Sequence, residues 1–452
     1  MHVLLLAYHY PPDPAVGSLR PAKVARAFRE AGHRVTVITA RLPGETAAVR
    51  ETSDGLDVRT VLPIPNPREF YKLAKGWLRP AAGAHADGSG AAAAAQHGEV
   101  GLRENEAQRD VPTWKRAIFS LLWLPDDRQG FIAAAVSAAY GLMRHEPVDV
   151  LYTSAPPFST QVAGLVLKAT TGVSWAAEFR DPWTSNPFKP ATVRTSFSDG
   201  AERWMERQTV RTANWLVAVS QGIADELEEL VADDERDKLL LIRNGIDRLL
   251  PPRPAGGAGA PGRPLRIVHA GTFYGQRDPR PFFEALAAVR RTHGLGREQV
   301  EVLLLGRSRR FHAVDLEVLA RELGIDDLVE FRDWVPQAEA RALIESADLL
   351  LLLAQEQPVQ VPNKLYDYLG TRAPILAFVD AEGESARLLQ RVGGHYVVTE
   401  NDTDAARRAL EAALTAAERG GGDGARAADD AAVLEEWTTE RQMRRLVSAV
   451  GG

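Results

Sequence analysis

The 452-residue chain contains no cysteine. Disulfides, thiolate zinc sites, iron–sulfur clusters and cysteine nucleophiles are therefore excluded. Long apolar runs are also lacking, since runs such as Leu349–Ala354 fall far short of the roughly 20 residues of a membrane-spanning helix. The N-terminus has no basic region before its apolar segment Val3–Ala7, unlike a signal peptide. We therefore expect a cytoplasmic protein.

Several common motifs are missing as well. There is no G-x-G-x-x-G after either opening strand, and no G-x-x-x-x-G-K-[ST], G-x-S-x-G or H-E-x-x-H. A dinucleotide fingerprint, a P-loop, a nucleophile elbow and a zinc-protease helix are thereby excluded. One acidic triplet, Asp402–Asp404, has the form of a metal–diphosphate motif, but Asp residues at a helix start more often cap the helix. We therefore predict no metal site.

The charge balance excludes a general affinity for nucleic acid. Lys and Arg number 54 and Asp and Glu 60, which gives a formal net charge of −6. The hydrophobic fraction of 45% and the charged fraction of 25% are ordinary for a globular protein. The length allows two or three domains of about 150 residues.

Apolar runs alternate with helical patterns in the N-terminal half. Residues 1–250 are predicted to form a doubly wound α/β domain. Its predicted elements are the helix Leu19–Ala31 and the strands Val3–Ala7, Arg34–Thr39, Val148–Thr153, Val173–Phe179 and Trp215–Ser220.

The C-terminal half repeats the pattern after a linker rich in Pro and Gly, residues 251–264. Residues 265–430 are predicted to form a second α/β domain, and 431–452 a final helix that crosses back to the first domain. The predicted helices are 279–292, 313–323, 336–346, 363–370 and 383–391, and the strands are Leu265–Ala270, Val300–Leu305, Val329–Phe331, Leu349–Leu353, Ile375–Phe378 and Tyr396–Val398.

Two segments of the first half depart from this pattern. Residues 81–110 have low complexity and too little apolar content for a core, which predicts a disordered surface insertion. Residues 112–124 are aromatic and apolar with two basic residues near their start. This segment is either a membrane-interface contact or, as we favour, a helix packed on its own domain.

Two loops of the first domain have the composition of a site. Gly17 lies between a strand and a helix, where a backbone can approach an anion, although an ordinary connection is the alternative. Arg180 and Asp181 follow a buried-type strand at its carboxyl end, where ligands bind in such folds. A structural Arg180–Asp181 ion pair is the alternative there.

Two further loops lie in the second domain. Gly271 follows a strand, and Arg277 is placed to bind a phosphate. Asn363 and Lys364 begin a helix after Pro362, and Lys364 is the only Lys after Lys238. Free N–H groups, the helix dipole and this ammonium favour an anion at one point. Asp367, one turn further on, suits a ribose diol.

These motifs, in this order, resemble the glycosyltransferases of family 4, and the resemblance covers most of the chain. The segments that resemble the family are Tyr8–Pro12 with Gly17, Gly271 with Arg277, Val329–Val335, Pro362–Pro374 and Glu436–Trp437. The resemblance implies the GT-B fold, an α/β architecture of two doubly wound Rossmann-like domains that face a central cleft. It also implies retaining transfer from a nucleoside-diphosphate sugar, with a UDP-sugar favoured and no other cofactor.

The same resemblance implies the site residues. Arg277 and Lys364 would stabilise the leaving diphosphate, and Arg180 and Asp181 would face the acceptor or the sugar. The donor-binding residues would be Gly17, Gly271, Thr272, Gly306, Trp334, Val335, Val361, Pro362, Asn363, Leu365 and Asp367.

Three positions depart from the family pattern. The donor motif usually carries two Glu seven residues apart, whereas this chain has Val359 first and Asp367 second. The sugar contacts are thereby left to backbone amides of residues 359–363. Many members also have a His where this chain has Arg180.

The acceptor is expected to be a sugar, a lipid-linked molecule or another small molecule, in polysaccharide, glycolipid or other glycoconjugate biosynthesis. The segment 112–124 keeps contact with the inner membrane face open. Two other functions are compatible with the sequence: a nucleotide-sugar epimerase or hydrolase on the same fold, and a non-catalytic scaffold subunit.

Overall fold

Apolar strands alternate with helices to form two α/β units in the computed structural model of the chain. The first unit comprises Met1–Arg243 and Met443–Gly452, and the second comprises Asn244–Gln442. The structure describes residues 1–50, 55–65, 120–186, 189, 194–251, 263–333, 335–399, 401–418 and 428–451.

The first unit is built on an eight-stranded sheet with the order β3-β4-β2-β1-β5-β6-β7-β8, in which only the β3–β4 pair is antiparallel. The strands are β1 His2–Ala7, β2 Arg34–Ala40, β3 Val49–Arg50, β4 Asp57–Val61, β5 Val150–Ala155, β6 Ser174–Phe179, β7 Trp215–Ala218 and β8 Leu239–Leu241. The described helices are α1 Leu19–Glu30, α2 Gly130–Met143, α3 Ser159–Thr171, α4 Ser196–Thr212 and α5 Gln221–Glu228, with 3-10 turns at Val16–Ser18 and Asp233–Lys238.

The second unit is built on a parallel six-stranded sheet with the order β13-β10-β9-β14-β15-β16. The strands are β9 Leu265–Ala270, β10 Val300–Leu305, β13 Val329–Arg332, β14 Leu349–Ala354, β15 Ile375–Val379 and β16 Tyr396–Val398, and the hairpin Arg310–Phe311 (β11) and Val314–Asp315 (β12) stands apart. The described helices are α6 Arg280–His293, α7 Leu316–Glu322, α8 Gln337–Ser346, α9 Asn363–Thr371, α10 Glu384–Val392, α11 Thr403–Glu418, α12 Ala428–Glu436 and α13 Thr439–Gly451.

Both sheets are buried on both faces, which is why their strands read as continuous apolar runs. Successive side chains of a strand point to opposite faces. Leu4 and Leu6 of β1 accordingly enter one core cluster, and Val3 and Leu5 enter another. The strand β14 in the second unit divides its side chains between two clusters in the same way. Helices therefore cover both sides of each sheet, and the loops at the strand ends are left to form sites.

A buried ion pair links α1 to the middle of the first sheet. The Arg20 guanidinium donates from Nε to the Glu178 carboxylate at 2.7 Å. Glu178 also accepts hydrogen bonds from Tyr152 and Ser154. Burial opposes its ionisation, but the charge of Arg20 and the Ser154 hydrogen bond outweigh burial and lower the pKa of Glu178. The remaining Arg20 donors bind the carbonyl oxygens of Ile242 and Arg243, each at 2.7 Å.

Several predicted element ends were wrong by two or three residues, and side-chain capping explains two of them. The helix α7 begins at Leu316 rather than at 313, because the Asp315 side chain accepts hydrogen bonds from the first-turn N–H groups. The strand β7 stops at Ala218 because Ser220 caps α5. The predicted strand Val148–Thr153 lies at Val150–Ala155, after Pro147, which has no N–H to donate.

The division between the units falls at residues 243 and 244, before the predicted linker 251–264. Residues 244–250 pack in the second unit, where Ile246 N–H donates to Trp437 and Leu250 N–H donates to Gly370. Most of the linker, residues 252–262, lies outside the described residues.

The predicted final helix over 431–452 is two helices, α12 and α13. They are separated at Trp437 and Thr438, where Thr438 pairs with Ile246 as an isolated bridge. Thr439 N–H donates to the Ile246 carbonyl at 2.9 Å. This pairing takes the backbone groups that a continuous helix would use.

Three further sequence predictions concern Asp402, the segments 81–110 and 112–124, and membrane-spanning helices. Asp402 caps α11, where its carboxylate accepts a hydrogen bond from Ala405 N–H at 3.0 Å. The segment 81–110 and residues 112–119 lie outside the described residues. Within the described part, no helix is long and apolar enough to span a membrane.

Replacement of Arg20 by Met should destabilise the first unit by about 3–5 kcal/mol, because the Glu178 carboxylate would stay buried without its cation. The urea dependence of unfolding at neutral pH measures this loss. Arg26→Met is the control, because Arg26 lies exposed on the same helix and should change stability by no more than about 0.5 kcal/mol. Equal losses in both variants would contradict the role assigned to the pair.

Candidate functional site

The loop after β9 approaches the first turn of α9 at Gly271. Gly271 has a φ of +140°, a conformation that favours glycine. A Cβ at this position would collide with the Lys364 ammonium. Glycine is therefore required here both by its backbone conformation and by the approach of Lys364.

A second glycine continues this close packing. Gly306, after β10, has a φ of +98°, and a Cβ there would lie 2.9 Å from the Gly271 carbonyl oxygen. Gly271 N–H donates to Leu305, and Gly306 N–H donates to Arg332, at 2.8 Å and 2.7 Å. The predicted donor-binding residues Gly271 and Gly306 thus lie side by side at the carboxyl ends of neighbouring strands.

The Lys364 ammonium is buried although the residue as a whole is half-buried. Its Nζ forms no hydrogen bond within the described part of the chain. Burial and, to a lesser extent, the charge of Arg277 lower the pKa of Lys364 to about 7. An unpartnered buried cation is costly, and an anion beside it would remove most of that cost.

Arg277 is the second cation of this pocket. Its Nη2 donates to Gln357 Oε1 at 3.2 Å, and its guanidinium lies over the Tyr274 ring, 4.3 Å from the centroid. Its Nε is buried and has no hydrogen-bond partner among the described residues. Burial lowers the pKa of Arg277, yet a guanidinium stays charged in proteins. Arg277 and Lys364 therefore repel each other. None of the contacts given above for these two residues is with a carboxylate.

Two buried polar residues, His269 beside these cations and Gln355 just after β14, were not predicted from the sequence. His269 is fully buried in β9; its Nδ1–H donates to the Leu351 carbonyl at 2.9 Å, and its ring stacks on Phe273. Burial, with Lys364 and Arg277 nearby, holds the pKa of His269 well below its usual value, so the ring is neutral. His269 Nε2 and Gln355 Oε1 are buried without a described hydrogen-bond partner.

The loop that presents Gln357 is fixed by Asp380, which was also missed. The Asp380 carboxylate accepts hydrogen bonds from the N–H groups of Glu356 and Gln357, at 3.1 Å and 2.6 Å. Glu356 has a φ of +54°. No local motif marks Asp380, because its partners lie more than 20 residues away.

The helix α9 begins as predicted, at Asn363. Its N-cap, Pro362, supplies no side-chain hydrogen bond to the first turn. Leu365 is fully buried in the core, so it can offer a ligand only backbone groups. Asn363 and Asp367 are exposed and lie four residues apart on one helix face.

For the other predicted donor-binding residues, the structure gives only their degree of burial and their packing. Val361 and Val335 are half-buried and pack on the core cluster that contains Leu365. Thr272 is exposed. Trp334 lies outside the described residues.

In the first unit, Arg180 holds loops together. Its side chain donates to the Ala155 carbonyl from Nε at 3.2 Å, and from its two terminal nitrogens to the carbonyls of Gly17 and Pro156. A Cβ at Gly17 would lie 3.3 Å from the guanidinium. The structure thus brings Gly17 and Arg180 together, and Arg180 binds the backbone of Gly17 rather than presenting free donors.

Asp181 is half-buried beside this loop. A buried Arg–carboxylate pair close to this loop joins Arg20 to Glu178. Burial lowers the pKa of Arg180, whereas Glu178 and then Asp181 raise it. Arg180 is therefore held charged by carboxylates while its hydrogen bonds go to carbonyl oxygens.

The described part of the chain has no cluster of side chains that could hold a metal ion. No group of three His, Asp or Glu residues there has a metal-binding arrangement. The chemistry available in the second unit is that of two cations and a helix N-terminus, a donor set suited to an anion.

Comparison with known proteins fits this geometry. A family model described as a glycosyl transferase 4-like domain matches residues 19–245. No curated protein sequence matches the chain.

Solved structures match the chain over nearly its whole length. Sucrose-phosphate synthase from Thermosynechococcus elongatus has a TM-score of 0.63 at 14% identity, covering 99% of this chain and 98% of that one. Anabaena Alr3699/HepE in complex with UDP has a TM-score of 0.62 at 13% identity, with 100% of both chains covered. The catalytic domain of starch synthase IV from Arabidopsis thaliana, bound to ADP and acarbose, has a TM-score of 0.61 at 12% identity, covering 100% and 99%. These similarities confirm the predicted fold class, GT-B with two Rossmann-like domains.

Replacement of Gly271 by Ala should displace the Lys364 ammonium and weaken diphosphate binding at least tenfold, because the new Cβ would occupy its place at a strained φ. Calorimetric titration with a nucleoside diphosphate measures the change. Gly141→Ala is the matched control, since a Cβ there meets nothing within 4 Å and should leave affinity unchanged. Unchanged affinity in the Gly271 variant would show that Lys364 has no part in the site.

Proposed function

The chain belongs to the glycosyl transferase 4-like domain family, and on that premise we propose that it transfers a sugar, with retention, from a nucleoside-diphosphate sugar to an acceptor. The observation that carries the proposal is the pair of buried cations, Lys364 and Arg277, which lie together without a bonded carboxylate among the residues that the structure describes. A diphosphate is the anion that such a pair would complement.

Charge develops on the leaving diphosphate as the bond from its oxygen to the anomeric carbon breaks. Fixed cations stabilise such charge best when they are placed beforehand in a site with little water. Lys364 and Arg277 meet this condition, because both charged groups are buried. In our proposal these two residues and the N-terminus of α9 replace a metal ion, so that the transfer is metal-independent.

With the diphosphate at Lys364 and Arg277, the ribose and the sugar of the donor would lie near α9 and the loop before it. Asp367, exposed one turn into α9, would accept hydrogen bonds from the ribose hydroxyls. Because Val359 offers no carboxylate, backbone N–H groups within residues 359–363, where Pro362 has none to donate, would hold the sugar. We propose a UDP-hexose first, since Anabaena HepE, which has the same fold, was solved with UDP-glucose.

The proposal nominates no protein nucleophile. The leaving phosphate itself would help to deprotonate the attacking hydroxyl on the same face of the sugar. The acceptor would be a sugar, a lipid-linked molecule or another small molecule near the Gly17 loop, in glycoconjugate biosynthesis at the cytoplasmic side of the membrane. Arg180 would act there by positioning that loop.

Removal of either cation should abolish most donor binding and turnover. In a panel of UDP, GDP, ADP, dTDP and CDP, one diphosphate at about 100 times its Kd should stabilise the wild type by about 2.7 kcal/mol in a thermal melt. Lys364→Ala and Arg277→Ala should lose this shift and about 100-fold or more in kcat, as expected when a charge-stabilising donor is removed.

Arg280→Ala is the matched control, because Arg280 is exposed and paired with Asp278 just after the same loop. It should behave as the wild type. Turnover near normal in either pocket variant would remove that residue from the leaving-group role. Binding without turnover on any acceptor would favour a scaffold subunit, and donor consumption without an acceptor would favour a hydrolase or epimerase.

Diphosphate affinity should fall as pH rises above 7. Lys364 binds an anion as the ammonium, and in the free protein this proton leaves at about pH 7. Above that pH, binding must take up a proton, so Kd should rise by up to about tenfold for each pH unit. The second ionisation of the phosphate has its midpoint near pH 6 and is nearly complete above pH 7, so a calorimetric series from pH 7 to 9 reports mainly on the lysine.

Lys364→Arg supplies the matched comparison. Its guanidinium stays charged throughout this range, so binding should persist without the slope. The same slope in both proteins would assign the titration to another group.

A further inference from the structure

Helix α4 of the first unit exposes two large aromatic side chains. Phe197 is 67% exposed and Trp204 is 59% exposed. They are seven residues apart, or two helical turns, and so lie on one face. Large aromatic rings gain by leaving water, and an exposed pair on one face marks an interaction surface.

A row of arginines lies beside these two rings on the exposed side of the helix. Arg203, Arg207 and Arg211 follow one another at intervals of four residues, and all three are exposed. Within the described part of the chain, neither Arg203 nor Arg207 has an ion-pair partner. Arg211 lies near Glu235, but that carboxylate is bound to Lys238 at 2.6 Å.

The acidic side chains of α4 point the other way. Glu202 and Glu206 are buried, at 2% and 8% exposure. Glu202 pairs with Lys189 at 2.7 Å, and Glu206 accepts a hydrogen bond from Thr184 at 2.6 Å. Asp199 also contacts Lys189. The helix therefore has its two glutamates inside and its guanidinium groups outside, with Asp199 half-buried, although the whole chain carries a net charge of −6.

A third apolar side chain lies near the start of α4. The N-cap Thr195 is hydrogen-bonded to Ser120, 3.1 Å between their hydroxyl oxygens. Leu121, the next residue, is 57% exposed. This end of the helix therefore presents Phe197 and Leu121 in one region of the surface.

We propose that this α4 face, defined by Leu121, Phe197, Arg203, Trp204, Arg207 and Arg211, docks on an anionic lipid bilayer. Aromatic and aliphatic side chains would enter the headgroup region, and the arginines would pair with lipid phosphates, as in helices that lie in a membrane interface. A second copy of the chain fits less well, because a two-fold contact would bring the two rows of arginines together. The proposal is independent of the donor site.

Flotation of the full chain, without nucleotide, tests the proposal on vesicles of 70% phosphatidylcholine and 30% phosphatidylglycerol. The chain should float with these vesicles at low salt, bind much less in 0.5 M NaCl, and not float with pure phosphatidylcholine. An arginine near an anionic surface contributes about fivefold to binding, so R203Q/R207Q/R211Q should lose about 100-fold in partitioning. F197S/W204S should lose binding to the vesicles both at low salt and in 0.5 M NaCl, while its melting temperature stays unchanged.

R26Q/R291Q/R321Q is the matched control, because it removes the same charge at exposed positions elsewhere. It should float as the wild type does. Equal losses in the two triple variants, or no flotation of the wild type, would overturn the proposal. A wild-type dimer that F197S/W204S converts to a monomer, without vesicle binding, would assign the face to a protein contact instead.

Discussion

A cation taken out of water needs an anion beside it, and the two units meet this requirement differently. In the first unit the chain itself provides the anion, because Glu178 binds the buried Arg20. In the second unit Lys364 and Arg277 lie close together. Burial and then the charge of Arg277 lower the pKa of Lys364, and no contact of either residue described above is with a carboxylate. A buried charge without a partner costs several kcal/mol, and an anion beside Lys364 and Arg277 would offset that cost. This asymmetry between the units is the physical basis of the donor site that we propose.

Packing and loop hydrogen bonds together hold the two cations in place. Gly271 allows Lys364 to lie against the backbone, and the Tyr368 hydroxyl accepts a hydrogen bond from Ala270 N–H one residue earlier. Gln357, which binds Arg277, is itself fixed through its N–H by Asp380. Each of these supports comes from a strand end or helix in contact with the core. A site arranged in this way needs little reorganisation when charge develops on a leaving group.

The sequence predicts much of this architecture, because buried parallel strands are readable as apolar runs and glycine marks the loops after β9 and β10. The residues Gly271, Arg277, Asn363 and Lys364 are found where a strand or helix boundary is readable nearby. His269 and Asp380 could not be found, because one looks like part of an apolar strand and the other acts on residues over 20 positions away. Arg180 shows a different limit: its residue type suits a site, but its three carbonyl partners depend on how distant loops meet. Likewise the break between α12 and α13 depends on the distant pairing with Ile246.

A buried cation needs an anion, which is the argument for a diphosphate in the second unit. The same argument is weaker for the arginines of α4. Arg203 and Arg207 are exposed, so water already solvates their charge and they do not demand an anion as Lys364 does. What distinguishes this face is that two aromatic rings lie beside the arginines, while the helix's own glutamates are buried with Lys189 and Thr184. Apolar insertion and charge must therefore act together. Contact with a bilayer through this face would be reversible and salt-sensitive, whereas an anion between Lys364 and Arg277 would be screened little by salt because both cations are buried.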